Sequence, residues 1–212
     1  MEDALARMID APQVLALAAA LGWASGIRLY LATFVAGLAG YLGWVDLPQG
    51  LHMLQHPAVL ATSGLMTFTE FFADKIPILD SLWDMVHTVI RIPAGAALAA
   101  GAIGADSTAM AWIAALMGGG LAATSHATKM TTRAAVNTSP EPFSNIGVSL
   151  LEDGFVLFML WLAATEPLIF GIVLVLTLIA TVILMVVLIR FLRVVVRRLT
   201  DFFAGRRSPQ GS

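Results

Sequence analysis

The sequence predicts an all-α fold, a polytopic membrane helix bundle of about six spans with two polar helical segments that are either cytoplasmic or re-entrant. Three observations support this. The 212-residue chain is 58% hydrophobic and 12% charged, with a mean hydropathy of +0.85, whereas soluble domains carry about a quarter charged residues. Its apolar runs recur at the length of about 20 residues that a bilayer demands of a helix. The few charges are concentrated: EFFADKIPILDSLWDMVHTVIR contains Glu70, Asp74, Lys75, Asp80, Asp84, His87 and Arg91.

The apolar runs fall at about 14 to 44, 55 to 72, 89 to 105, 108 to 125, 147 to 164 and 167 to 189. The N-terminal MEDALARMIDAPQ is net acidic and precedes a stretch too long for a signal-peptide core, so a retained first span is expected. That span is overlong, and Ala24-Ser25-Gly26 allows it to be strongly tilted or broken in the middle. The connections 45 to 56, 103 to 107 and 165 to 166 lack Lys and Arg. Arg7, Lys75, Arg91, Lys129, Arg133 and the tail supply the basic side, which insertion keeps cytoplasmic. A membrane domain over 1–189, a basic cytoplasmic tail over 190–212 and two cytoplasmic termini in a bacterial inner membrane are therefore expected.

Between the second and third runs, Asp80, Asp84, His87 and Arg91 are spaced four, three, four and share one helical face. The opposite face carries Leu79, Trp83, Val86 and Ile90. Pro77 separates this group from Glu70 and Asp74, which are themselves four apart. Between the fourth and fifth runs, SHATKMTTRAAVNTSPEPFSN repeats the pattern with His126, Lys129, Arg133 and Asn137, ending at Ser139-Pro140. The two polar segments, 73–91 and 126–146, are expected on the same side, facing each other, either flat in the interface or folded into the bundle. Gly118, Gly119 and Gly120 mark close helix packing, because small residues let backbones approach in lipid.

Arg28 lies inside the first apolar run, where a charge costs on the order of 2.5 to 3.5 kcal/mol, so a partner among Glu70, Glu152 and Asp153 is expected. It serves either a substrate or the register of the helices, unless it snorkels to the interface. Tyr30 belongs to the same pocket or to the interfacial aromatics. Glu152 and Asp153 open the fifth run. Adjacent carboxylates in an apolar setting suit proton coupling, and acids at a helix N-terminus also suit the macrodipole. Glu70, Asp74, Asp80, Asp84 and His87 are candidate ligands for a divalent cation, although for Asp80 alone a solvated face explains as much. With no cysteine in the chain, any metal would need oxygen or nitrogen ligands. No phosphate-binding glycine loop, zinc-protease motif or serine nucleophile elbow is present.

The motifs WASGIRLY (23–30), EFFADKIPILDSLWDMVHT (70–88), SHATKMTTRAAVNTSPEPFSN (125–145) and EDG (152–154) give the chain a resemblance to a family of small bacterial integral-membrane proteins known only as a domain of unknown function. That resemblance implies a membrane protein and no particular activity. EFFADK also looks like the Glu-x-Gly-Asp-Lys motif of small six-span cation/proton exchangers. It departs from that motif by one extra residue, by Ala73 in place of glycine and by the lack of a second copy.

These residues suggest a carrier for a small ion or polar solute, with a proton-coupled divalent cation as the first expectation. Its binding residues would be Arg28, Glu70, Asp74, Lys75, Asp84, His87, Arg91, His126, Lys129 and Arg133, and its proton-coupling pair Glu152 and Asp153. The rival is a membrane-embedded enzyme or carrier acting on an anionic lipid headgroup, with Arg28, Lys75, Lys129 and Arg133 on phosphate and Asp84 or His87 as base. A third reading is an assembly subunit docked through the polar segments. Expected partners are the bilayer and a small ion or polar ligand, with no nucleic acid; a homo-oligomer is allowed.

Overall fold

The computed structural model describes residues 2–76, 79–104, 108–138 and 143–205. Among these the chain is all-helical: α1 (Glu2–Tyr41), a short 3₁₀ helix (Gln49–Gln55), α2 (Pro57–Ala73), α3 (Leu79–Ile103), α4 (Thr108–Val136), α5 (Phe143–Thr165) and α6 (Pro167–Gly205). Five helical stretches are long and apolar enough to cross a membrane: Ala11–Tyr41, Leu79–Ile103, Thr108–Val136, Phe143–Thr165 and Pro167–Arg198. The expected second span falls on α2, which has only 17 residues, is about 26 Å long at 1.5 Å per residue and is not among these five.

The first predicted span does not run straight through. Arg28 has φ −141° and ψ 71°, and there the helix reverses into two limbs. Gln13, Val14 and Leu17 of the first limb line one cavity of about 690 Å³ with Trp44 to Pro48, which follow the second limb. An unbroken helix would hold residues 13 and 41 about 42 Å apart. The second limb packs antiparallel to α2, with Gly37 against Leu54 and Leu60 and Gly64 against Phe34. Both limbs therefore begin and end at the same end of the bundle, and Arg28 is the tip.

From that end the chain passes to the other end and back along α2, α3, α4, α5 and α6, so Ala11 and the C-terminal part of α6 lie at opposite ends. The end near Ala11 carries the exposed Trp44, Trp112 and Trp161, the belt that marks a membrane interface. At the other end lie Lys75, Arg133 and the arginines of α6.

Of the two expected arrangements, the described residues of both polar segments take the one folded into the bundle. Residues 79–91 form the first half of α3 and 126–136 the last part of α4, in helices continuous with the apolar runs. Asp80, Asp84, His87 and Arg91 are buried, whereas Leu79, Val86 and Ile90 are exposed. The faces are thus assigned as in a membrane bundle, charges inward and apolar side chains toward lipid. Pro77 and Ser139-Pro140 lie outside the described residues. The helical path of α6 runs past residue 189 without a break, to Gly205.

Small residues bring α1, α3 and α4 together. A Cβ on Gly22 would lie 2.7 Å from Gly118 Cα. One on Gly26 would collide with the Ala122 carbonyl and Ser125 Oγ, and one on Gly118 with Ala99 and the Gly95 carbonyl. Of the glycine triplet, Gly118 makes the closest approach, Gly119 a looser one and Gly120 none.

Candidate functional site

Reversal at Arg28 leaves the last carbonyls of the first limb without helical donors, a cost that buried backbone must recover elsewhere. Side chains from α3 and α4 supply the donors. Arg91 Nη1 donates to the carbonyls of Gly26 (3.2 Å) and Ile27 (3.1 Å), and Lys129 Nζ to that of Ile27 (3.2 Å). Ser125 Oγ donates to the Trp23 carbonyl at 2.7 Å, and His126 Nδ1 lies 3.1 Å from that of Gly26. Two cations at a helix C-terminus also match the negative end of its dipole.

Arg91 and Lys129, together with Arg28 and Arg133, meet carboxylates from α2 and its C-cap Asp74, from α3 and from α5. Arg28 pairs with Asp74, with Asp153 at 2.8 Å and more distantly with Glu152 at 3.8 Å, and it donates to Ser149 Oγ at 2.9 Å. Arg91 pairs with Glu70 and, at 3.0 Å, with Asp84. Lys129 Nζ lies 2.8 Å from Asp74, 3.1 Å from Asp84 and 3.9 Å from Glu70. Arg133 reaches Glu152 at 2.7 Å, Asp74 at 3.6 Å and Asp80 at 4.0 Å. An interhelical partner for Arg28 was expected; Asp74 joins the expected Glu152 and Asp153, and Glu70 goes to Arg91 instead.

Among the described residues this network sets four positive side chains, Arg28, Arg91, Lys129 and Arg133, against six carboxylates, Glu70, Asp74, Asp80, Asp84, Glu152 and Asp153. Lys75, whose ammonium interacts with Asp153 and Asp74 from the edge, adds a fifth positive charge, so the carboxylates exceed the cations by one. Glu70 Oε2, Asp74 Oδ1, Asp84 Oδ2 and Asp153 Oδ2 are buried and have no hydrogen-bond partner. Lys75 stands at the edge, where its Nζ donates to the Phe71 carbonyl at 2.9 Å and caps the Phe71 ring; burial pulls its ammonium below the ordinary lysine range.

Several expected residues sit elsewhere or act otherwise. His87 stacks on Trp83 with ring centroids 4.2 Å apart and meets Tyr30 edge-on at 5.7 Å, while its Nδ1 lies 2.8 Å from the Trp83 carbonyl. Asp80 is engaged by Asn137 Nδ2 at 3.1 Å. The proposed metal set of Glu70, Asp74, Asp80, Asp84 and His87 is thus not assembled: no group of three or more His, Asp or Glu able to hold a metal occurs among the described residues. Arginine and lysine head groups stand between the carboxylates, and His87 faces aromatics. Glu152 and Asp153 lie in the third turn of α5, which starts at Phe143. The helix dipole acts within the first turn, so it does not explain their position.

A third polar stripe escaped the sequence reading. Asn145, Ser149 and Glu152 are spaced four and three along α5, and all face the network. Arg133 Nη1 donates to Asn145 Oδ1 at 2.6 Å. The spacing satisfies helical periodicity, but Asn145 precedes the fifth apolar run, which begins at 147. Thr88, whose Oγ1 lies 2.8 Å from His126 Nε2, was also overlooked.

These features define a polytopic helical membrane protein with a buried ion-pair network at the tip of a helical hairpin. No curated protein and no solved structure matches the chain. The chain belongs to the family described as Domain of unknown function (DUF4126), whose match over residues 15–187 includes every network residue.

Proposed function

We propose that the protein is a membrane carrier that exchanges a small cation against protons through the network at the α1 tip. One observation carries this: six carboxylates outnumber the four cations paired with them, and Lys75 at the edge, in a site built on a broken helix. An uncompensated charge in an apolar bundle requires either a proton or a cation from outside, because a bare buried charge is costly. A site that alternates between those two ways of being neutral couples their movements. Broken helices whose freed carbonyls face a cation are a recurring device of secondary transporters.

The anionic-headgroup reading is less well supported, since of its phosphate-binding set Arg28, Lys129 and Arg133 lie against carboxylates, which leaves Lys75 at the edge to meet a phosphate. Interleaved guanidinium and ammonium groups likewise disfavour a divalent ion, so the cargo proposed is monovalent. By the positive-inside tendency, the end with Arg190, Arg193, Arg197 and Arg198 faces the cytoplasm of a bacterial inner membrane, and Ala11 lies on the opposite side.

The test is proton flux in proteoliposomes with an entrapped pH indicator. Pulses of monovalent cation should evoke a pH change in wild type that is abolished by Glu70→Gln and by Asp74→Asn. Absence of flux with every cation tried, from protein shown to be folded and inserted, would overturn the reading.

A further inference from the structure

Beside the network lies a cavity of about 210 Å³, lined by Arg28, Leu31, Thr67, Glu70, Phe71, Asp153 and Leu157. It stands between the second limb of α1, α2 and α5. Its two carboxylates each give one oxygen to a resident arginine, Glu70 Oε1 to Arg91 and Asp153 Oδ1 to Arg28. The second oxygen of each, Glu70 Oε2 and Asp153 Oδ2, is buried without a partner.

We propose that this cavity binds a small organic ammonium ion, held between Glu70 and Asp153. The inference rests on the carrier reading and names its cargo. Charge favours a cation, since the carboxylates of the surrounding network still exceed its positive side chains by one with Lys75 counted, and Glu70 and Asp153 each keep an oxygen without a partner. Donor number argues against a desolvated metal ion, which takes about six or more oxygens; here two carboxylates and the Thr67 hydroxyl are the only oxygen-bearing side chains in the lining. Volume agrees, because about 210 Å³ equals the share of about seven liquid waters at 30 Å³ each, far more than one bare ion needs. Leu31, Phe71 and Leu157 offer apolar walls that suit the carbon part of an alkylammonium.

The protein's own side chains show the same recognition chemistry twice. Lys129 places its ammonium between Asp74 and Asp84, with the Ile27 carbonyl as a third acceptor. Lys75 places its own over the ring of Phe71, a wall of the cavity, where the ring quadrupole favours a cation.

Binding and transport are measured separately. Purified wild type in detergent is titrated with methylammonium, ethylammonium and propylammonium, and with sodium, potassium and magnesium at matched ionic strength, while thermal unfolding is followed. An alkylammonium at a hundredfold excess over its Kd should raise Tm by about 5 °C or more, and the inorganic ions should not. Asp153→Asn should weaken the effect at least tenfold, and Leu157→Trp, which fills the cavity, should remove it. Lack of stabilisation of wild type by any alkylammonium overturns the proposal, as does an equal response from folded Leu157→Trp. Proton flux driven by sodium or potassium without alkylammonium binding would leave the carrier reading standing and this one refuted. Alkylammonium binding without any flux would do the reverse.

Discussion

Lys129 Nζ lies 2.8 Å from Asp74 Oδ2 and 3.2 Å from the Ile27 carbonyl, so a single ammonium ties the end of α2 to the tip of the α1 hairpin. Its removal would leave Asp74 and Asp84 short of a counter-charge in an apolar bundle. Breaking a buried pair from one side costs about 3 to 5 kcal/mol. Lys129→Met should therefore lower the unfolding free energy in detergent by that order, whereas Lys129→Arg, which keeps the charge, should retain most of it. Equal stability of Lys129→Met and wild type would show that the network is not cohesive.

Arg28 and Asp153, at 2.8 Å, allow a more local measurement. The double-mutant cycle of Arg28→Ala and Asp153→Ala should return a coupling of about 0.5 to 3 kcal/mol, the range for residues in one charged network. Additive losses would mean that the two interact only through Asp74 and Glu152.

Close packing makes a prediction that involves no charge. Gly26→Ala should destabilise the bundle, because its Cβ has no room against Ala122 and Ser125. Gly120→Ala meets nothing within 4 Å and should be neutral or gain up to about 1 kcal/mol from helix propensity. Thermal unfolding of both variants checks the contrast, and an equal effect would deny that the helix crossing is specific.

The chain path is testable because the chain has no cysteine, so each introduced one reports alone. Gln13→Cys and Met53→Cys should react with a membrane-impermeant maleimide from the same side, and Thr200→Cys from the opposite side. Intact and permeabilised cells distinguish the two. Labelling of Gln13→Cys and Met53→Cys from opposite sides would remove the reversal at Arg28.

The residues of the site were legible in the sequence because helical periodicity does not depend on the partner. Spacings of three and four place Asp80, Asp84, His87 and Arg91 on one face whatever that face meets, and the cost of a charge in an apolar run demanded a partner for Arg28. Which face turned inward was not legible, since a charged stripe opposite an apolar one describes a surface helix and a membrane-buried helix equally well; packing of α3 against α1 and α4 decided it. The reversal of α1 depends on the backbone angles of Arg28 and on donors from residues 91, 125, 126 and 129. Those contacts join positions 64 to 102 apart in the chain, beyond the reach of any local pattern. Sequence thus determined which groups must be buried and paired, by periodicity and the cost of charge in an apolar setting, while tertiary structure decided with whom they pair, because that depends on where helices distant in the chain cross.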